Sequence, residues 1–133
     1  MRYSINTNFR NQLIDITDLV IQSVRKSEAS CGLVNVFVPH TTAAITINEN
    51  SDPDVAHDIL HWMGDVIPKS NEFKHLEGNS DAHIKATLVG SSISIPFRDA
   101  SLLLGTWQCV YFCEFDGPRS REVIVTVIEK ANL

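Results

Sequence analysis

The sequence predicts an α+β fold: a mostly antiparallel β-sheet or sandwich carrying two or three helices. Three observations point there. Short runs rich in β-branched and aromatic residues recur along the chain. One segment, from Asp52 to Pro68, shows helical periodicity between a cap and a proline stop. The two longest strand-like runs flank an Asp-Gly-Pro-Arg turn. Residues 1–133 are expected to form one domain, because 133 residues with 44% apolar and 20% charged side chains hold one core and leave little room for a second.

Taken in order, the first ten residues suit a strand. Thr17 to Lys26 predicts a helix with Thr17 as its cap, Asp18 in the first turn, and Arg25 and Lys26 in the last, where they complement the helix dipole. Gly32 closes that region. Leu33–Val38 and Ala43–Asn48 read as strands, so Pro39, His40, Thr41 and Thr42 place a histidine at a strand end. Asp52 is a good N-cap and Pro53 a good first residue for the clearest helix, whose apolar positions Val55, Ile59, Trp62, Met63, Val66 and Ile67 repeat until Pro68. Lys69–Asp81 is polar and reads as a loop. Asn79 or Ser80 caps a short helix over Ala82–Val89, with Gly90 as its stop. Ile93, Ile95 and Phe97 alternate in a strand. Trp107–Phe115 and Arg121–Glu129 read as two longer strands joined by Asp116-Gly117-Pro118-Arg119 as a hairpin. In the first of them Val110 and Phe112 oppose Cys109, Tyr111 and Cys113, so both faces should be covered, and a closed ring of subunits would cover the second.

Eleven Lys and Arg stand against sixteen Asp and Glu, a net charge of -5 that argues against a general nucleic-acid binder. A small phosphorylated metabolite needs only a few local cations or amides and stays open as a partner. No apolar run approaches the ~20 residues of a membrane span. The opening MRYSINTNFRNQ lacks the apolar stretch of a signal peptide, and a soluble cytoplasmic protein is expected. Cys31, Cys109 and Cys113 read as reduced thiols. Four residues along a strand separate Cys109 from Cys113 by roughly 13 Å, beyond disulfide reach.

Five histidines carry the potential chemistry. His57-Asp58-Ile59-Leu60-His61 imitates the H-E-x-x-H zinc helix, but both histidines project opposite the apolar stripe, into solvent. His40, His75 and His83 come from a strand end, a polar loop and a helix start. Three neutral imidazoles are a common ligand count for a divalent metal with an open position; capping or exposed histidines are the alternative. Glu77-Gly78-Asn79-Ser80-Asp81 feeds a helix start and offers either an anion site or simple capping. Thr41-Thr42 and Asn48–Asp52 line a pocket or solvate a turn, and Arg119 and Arg121 hold a phosphate or sit on the surface.

VFVPHTTAAITINEN (Val36–Asn50), EGNSDAHIKATLVGSS (Glu77–Ser92), and LGTWQ followed by YFCEFDGPR (Leu104–Arg119) resemble the YjbQ-like family of secondary thiamine-phosphate synthases. The resemblance runs from about Ile5 to Val127. It implies a homotrimer of compact α+β subunits with sites near subunit boundaries. It also implies a divalent metal, zinc with magnesium as the alternative, on His40, His75 and His83. The activity implied is condensation of hydroxymethylpyrimidine diphosphate with thiazole phosphate, giving thiamine phosphate and diphosphate. Such a reaction needs the leaving charge neutralised and the reactants aligned. Glu49 and Asp81 are the candidate acid and base; Thr41, Asn50, Asn79, Ser80, Lys85, Gln108 and Arg119 are the candidate substrate contacts. The other readings are a zinc hydrolase of a small phosphorylated or carbonyl substrate, and a trimeric module that binds a metabolite or metal without turnover.

Overall fold

The computed structural model describes residues 1–131. The elements are β1 (Arg2–Asn6), β2 (Gln12–Asp15), α1 (Thr17–Ser27), β3 (Cys31–Phe37), β4 (Ala43–Glu49), α2 (Pro53–Val66), α3 (Ser80–Val89), β5 (Ser92–Arg98), β6 (Ser101–Leu102), β7 (Gln108–Glu114) and β8 (Ser120–Glu129). They form two antiparallel sheets, a five-stranded one in the order β1-β8-β3-β5-β6 and a three-stranded one in the order β2-β7-β4. The expected α+β class, with a sheet sandwich and three helices, is the one found. No helix among the described residues is long and apolar enough to cross a membrane.

Strand alternation decides which side chains meet. Val34, Val36, Ile95, Phe97, Val123 and Val125 of the larger sheet pack against Ile45, Val110 and Phe112 of the smaller, and α1 adds Val20 and Val24. The other face of the smaller sheet carries Ala44, Cys109, Tyr111 and Cys113. There α3 places Ala82 and Ala86, while α2 contributes Ala56, Leu60 and Met63. Both faces of β7 are therefore covered, as its sequence requires, but helices of the same chain cover the second one.

Several local expectations are corrected. The first strand is short, and β2 follows it on the smaller sheet. Thr17 is the first residue of α1; Ile16 is its N-cap, and the Asp15 carboxylate accepts from Thr17 N at 2.9 Å. That helix ends at Glu28, in the left-handed conformation, so Gly32 falls inside β3. There a Cβ would lie 1.9 Å from the Ile128 carbonyl oxygen, which is why the close β3–β8 pairing needs glycine. Trp62 and Val66 are 61% and 54% exposed; the sheet receives α2 through Ala56, Leu60 and Met63 instead. The expected hairpin does not form. β7 pairs with β2 and β4, whereas β8 pairs with β1 and β3, so Asp116–Arg119 crosses from one layer to the other. Gly117 makes that crossing possible: its N–H donates to Arg10 O at 3.0 Å, and a Cβ would lie 2.3 Å from Phe9 O.

An ion pair sits where the layers cross. Glu114 shares the inward face of Val110 and Phe112, and Arg121 shares that of Val123 and Val125. Both are buried. Arg121 Nε donates to Glu114 Oε1 at 2.9 Å, and its Nη2 donates to Glu114 Oε2 and, at 2.8 Å, to Thr42 Oγ1. Thr7 Oγ1 donates to Glu114 Oε1 at 2.8 Å, and the Phe115 and Asp116 amides donate to Oε2 at 3.1 Å. Burial alone would raise the Glu114 carboxyl, but these donors outweigh it and hold it below its ordinary range.

Removing one charge strands the other in the core, so Glu114→Gln is expected to cost about 3 kcal/mol in urea denaturation at neutral pH. Because the folded carboxyl titrates below its unfolded value, its contribution is complete above the ordinary carboxylate range and is lost as pH falls through the folded value. The Gln variant should therefore lose less stability on acidification than the wild type. Equal acid slopes would overturn this account.

Candidate functional site

The β3–β4 connection that carries His40 is fixed at both ends. Val38 N donates to Ser91 O at 2.8 Å, and Phe115 N donates to Thr42 O at 3.2 Å. Between these anchors His40 faces a cavity of about 660 Å³, shared with His75 from the α2–α3 loop and His83 from the first turn of α3. A volume of this order suits a small metabolite. Thr41, Glu77, Asn79, Arg119 and Arg121 complete its polar lining. A second cavity of about 320 Å³ shares His40, Thr41, His83 and Ser91 with the first.

The His75 and His83 rings pack edge to face, with centroids 5.3 Å apart. His75 Nε2 lies 3.9 Å from the Glu77 carboxylate. His40 Nε2 accepts a hydrogen bond from Glu122 N at 2.9 Å, which places the proton of the neutral ring on Nδ1. Burial and the nearby Arg121 charge lower the His40 pKa, favouring the neutral form that a metal requires. Among the described residues no three His, Cys, Asp or Glu side chains already stand in metal-holding positions. The donor set fits zinc in kind: three imidazoles border one space, while Glu77 is its single carboxylate. Holding an ion through His40 Nε2 requires that ring to release the Glu122 amide. Magnesium, which favours several oxygen ligands, fits this lining less well.

Of the substrate contacts expected from sequence, Thr41, Asn79 and Arg119 line the cavity. Arg119 is held by Asp116: Nε donates to the Asp116 carbonyl at 2.9 Å and Nη2 to its carboxylate at 3.2 Å. Asn79 backs onto the same carboxylate, with Nδ2 at 2.8 Å. Ser80 starts α3 beside them without lining the cavity. Glu49, Asn50 and Gln108 lie elsewhere. In the β4–β7 register Ala43 pairs with Glu114 at the cavity end and Glu49 with Gln108 at the other, roughly 20 Å away along the strand. There Tyr111 Oη donates to Asn50 Oδ1 at 2.9 Å, Ser51 Oγ to Glu49 at 2.7 Å, and Gly105 N to Gln108 Oε1 at 2.8 Å.

Asp81 and Lys85 are buried on α3, beneath the cavity wall. Arg10 grips Asp81 through two bonds of 2.9 and 3.1 Å, and Lys85 Nζ lies 3.6 Å from Asp81 and 3.4 Å from Asn11 Oδ1. Burial alone would raise the Asp81 carboxyl, yet Arg10 and then Lys85 hold it below its ordinary range, so it is a fixed anion. Burial lowers the Lys85 pKa, against the pull of Asp81. Glu77 and Ser91 also line the cavity; the sequence reading gave Glu77 only as part of a possible anion site and assigned Ser91 no role, since neither sits in a spacing that marks a ligand. Arg121 had a readable signal, since alternation with Val123 and Val125 turns it inward.

The Arg10–Asp81 grip ties the start of α3, and with it His83, to the β1–β2 connection. Arg10→Ala is expected to lower stability by about 2 kcal/mol, read from a urea midpoint, because it removes two charged hydrogen bonds from a buried carboxylate. An unchanged midpoint would count against this role.

Comparison with known proteins bears on the whole chain. Residues 1–130 match the family described as UPF0047 protein YjbQ-like. UPF0047 protein MJ1081 of Methanocaldococcus jannaschii is 54% identical over 127 residues, covering 96% of this chain and 92% of that protein. UPF0047 protein YugU of Bacillus subtilis is 44% identical over 93% of this chain and 95% of its own length. A crystal structure of a YjbQ/UPF0047 family protein from Clostridium acetobutylicum superposes with a TM-score of 0.94 at 55% identity, covering 96% of this chain and 99% of that one. That of TT1486 from Thermus thermophilus gives 0.90 at 39% identity, over 96% and 99%. With its full-length match and these neighbours, the chain belongs to the YjbQ-like UPF0047 family.

Proposed function

We propose that this protein is a metal-dependent transferase acting on small phosphorylated metabolites in the His40–His75–His83 cavity, and that it makes thiamine phosphate. One observation carries the reading: three histidines from separate elements and Arg119 border a single space of metabolite size. In the reaction, the thiazole nitrogen forms a C–N bond to the pyrimidine methylene. The C–O bond to diphosphate breaks, and its electron pair leaves with the diphosphate. His40, His75 and His83 would hold a zinc ion, which when bound would supply positive charge against that leaving group. Arg119, steadied by Asp116, contributes a second cation. Arg121 adds less, because its guanidinium is committed to Glu114 and Thr42. Asn79 and Thr41 supply polar contacts on the cavity wall. Asp81, locked by Arg10, acts as a support for α3 rather than as an acid or base. Glu49, Asn50 and Gln108 have no part within a single subunit's cavity, and the homotrimer remains part of this proposal.

One observation favours the hydrolase as a second reading. Glu77 puts a carboxylate beside His75 in the same cavity, where a base for an attacking water would stand.

His83→Ala is expected to lose the cavity metal and all thiamine phosphate formation from the two precursors while keeping its fold, since His83 is not part of either apolar core. His57→Ala and His61→Ala should leave turnover unchanged. Wild-type metal retention and turnover in His83→Ala would refute the site. A fully metal-loaded wild type that makes no product would refute the synthase activity, and release of inorganic phosphate from a small phosphoester would then select the hydrolase.

A further inference from the structure

The exposed face of α2 carries a pattern that the cavity does not use. Asp54, His57, Asp58, His61 and Asp65 stand at helical spacing, while Ala56, Leu60 and Met63 turn toward the smaller sheet. The His57 and His61 side chains are 73% and 68% exposed. Their rings stack nearly parallel, 10° apart with centroids separated by 5.9 Å. Each ring has one carboxylate neighbour on its own helix: Asp58 Oδ1 lies 3.2 Å from His57 Nδ1, and Asp65 Oδ2 lies 3.3 Å from His61 Nε2.

We propose that His57 and His61 form a transition-metal site on α2, separate from the histidine cavity. A carboxylate that accepts the proton of one ring nitrogen fixes the tautomer and leaves the lone pair on the other, the arrangement that supports metal-bound histidines. Here the hydrogen bond to Asp58 leaves Nε2 of His57 as the ligand atom, while Asp65 stands beside His61 as a nearby negative charge. The helix holds the two rings one turn apart in advance, so an ion closing the pair orders little chain that is not already ordered. Both side chains are exposed, so the rings are free to turn from the present stack toward a shared ion. Imidazole nitrogen selects zinc, nickel or copper over magnesium and calcium. No third ligand is assembled among the described residues, so water fills the remaining positions and the ion exchanges readily. Asp54, Asp58 and Asp65 add negative charge along the same face, which attracts a cation at low ionic strength.

The experiment is a zinc titration of metal-stripped, full-length protein by calorimetry, with wild type, the double variant His57→Ala/His61→Ala, and His83→Ala run in parallel. The double variant should lose one equivalent of bound zinc and keep its fold, because both side chains are solvent-exposed. Excess magnesium should displace none of the zinc from wild type. Asp58→Asn should weaken the α2 site by about 10-fold, the lower end of the effect of losing a carboxylate behind a histidine ligand. Equal zinc uptake by wild type and the double variant overturns the proposal, as does displacement by magnesium. The α2 site and the cavity fail separately: loss of all zinc in His83→Ala leaves only the cavity, and loss of all zinc in the double variant leaves only α2.

Discussion

The fold depends on one buried contact, the Glu114–Arg121 ion pair where the chain leaves one sheet for the other. Two charges of opposite sign stand in the sandwich interior only because each is almost fully hydrogen-bonded, by Thr7, Thr42 and the Phe115 and Asp116 amides. The four side chains come from different parts of the chain: the end of β7, the start of β8, the residue after β1 and the residue before β4. The contact therefore fixes the two sheets against each other at one end. It also explains why the Asp-Gly-Pro-Arg segment crosses between layers. A hairpin would place Glu114 and Arg121 in one sheet and leave the sandwich without its closing tie.

The same contact forms the floor of the histidine cavity. Arg121 and Thr42 line it from below, and His40 is anchored to the amide of Glu122, the residue after Arg121. Arg121 contributes charge that lowers the His40 pKa, while its own charge is largely offset by Glu114. A second set of charges holds the opposite wall. Asp81 is gripped by Arg10, and Asp116 reaches Asn79, Arg119 and, at 3.8 Å, Arg10. Together the two networks connect the β1–β2 connection, the β3–β4 connection, α3 and the crossing segment. Each of these segments is a loop or a helix end, and none would hold a side chain in place by apolar packing alone.

The helices show the limit of hydrophobic pattern. α2 carries apolar residues at more positions than its own sheet accepts. Only Ala56, Leu60 and Met63 pack, partly buried, against the cluster that holds Tyr111 and Cys113, and the larger Trp62 is left outside. Periodicity identifies a helix; the shape of the surface beneath it decides which part of an apolar stripe is used. The same holds for the cysteines of β7. Cys113 is buried deeply enough that its thiol is pushed up to about 12, and it serves as a small apolar side chain.

Much of this molecule was legible in the order of its residues. The strand runs, the Asp52-Pro53 helix start, the Gly90 stop and the two-sided burial of Cys109–Phe115 follow from local chemistry, which acts over a few residues and leaves a periodic trace. His40, Thr41, His75, Asn79, His83 and Arg119 were identified through motifs, and they border one cavity. What the sequence did not contain is the pairing of those local pieces. Asp81 and Lys85 read as site residues through the activity that the resemblance implies; the return of Arg10 across 71 positions makes Asp81, with Lys85 beside it, a buried support. Glu49, Asn50 and Gln108 belong to suggestive polar runs, yet the β4–β7 register carries them to the far end of the strands. The Asp-Gly turn carried a strong hairpin signal that was overruled by Glu114 and Arg121, seven residues apart. Local propensity is written in neighbouring residues, whereas the partner of a buried charge is chosen by the whole fold, because it must be the group that closes the last unsatisfied bond in a space excluded from water.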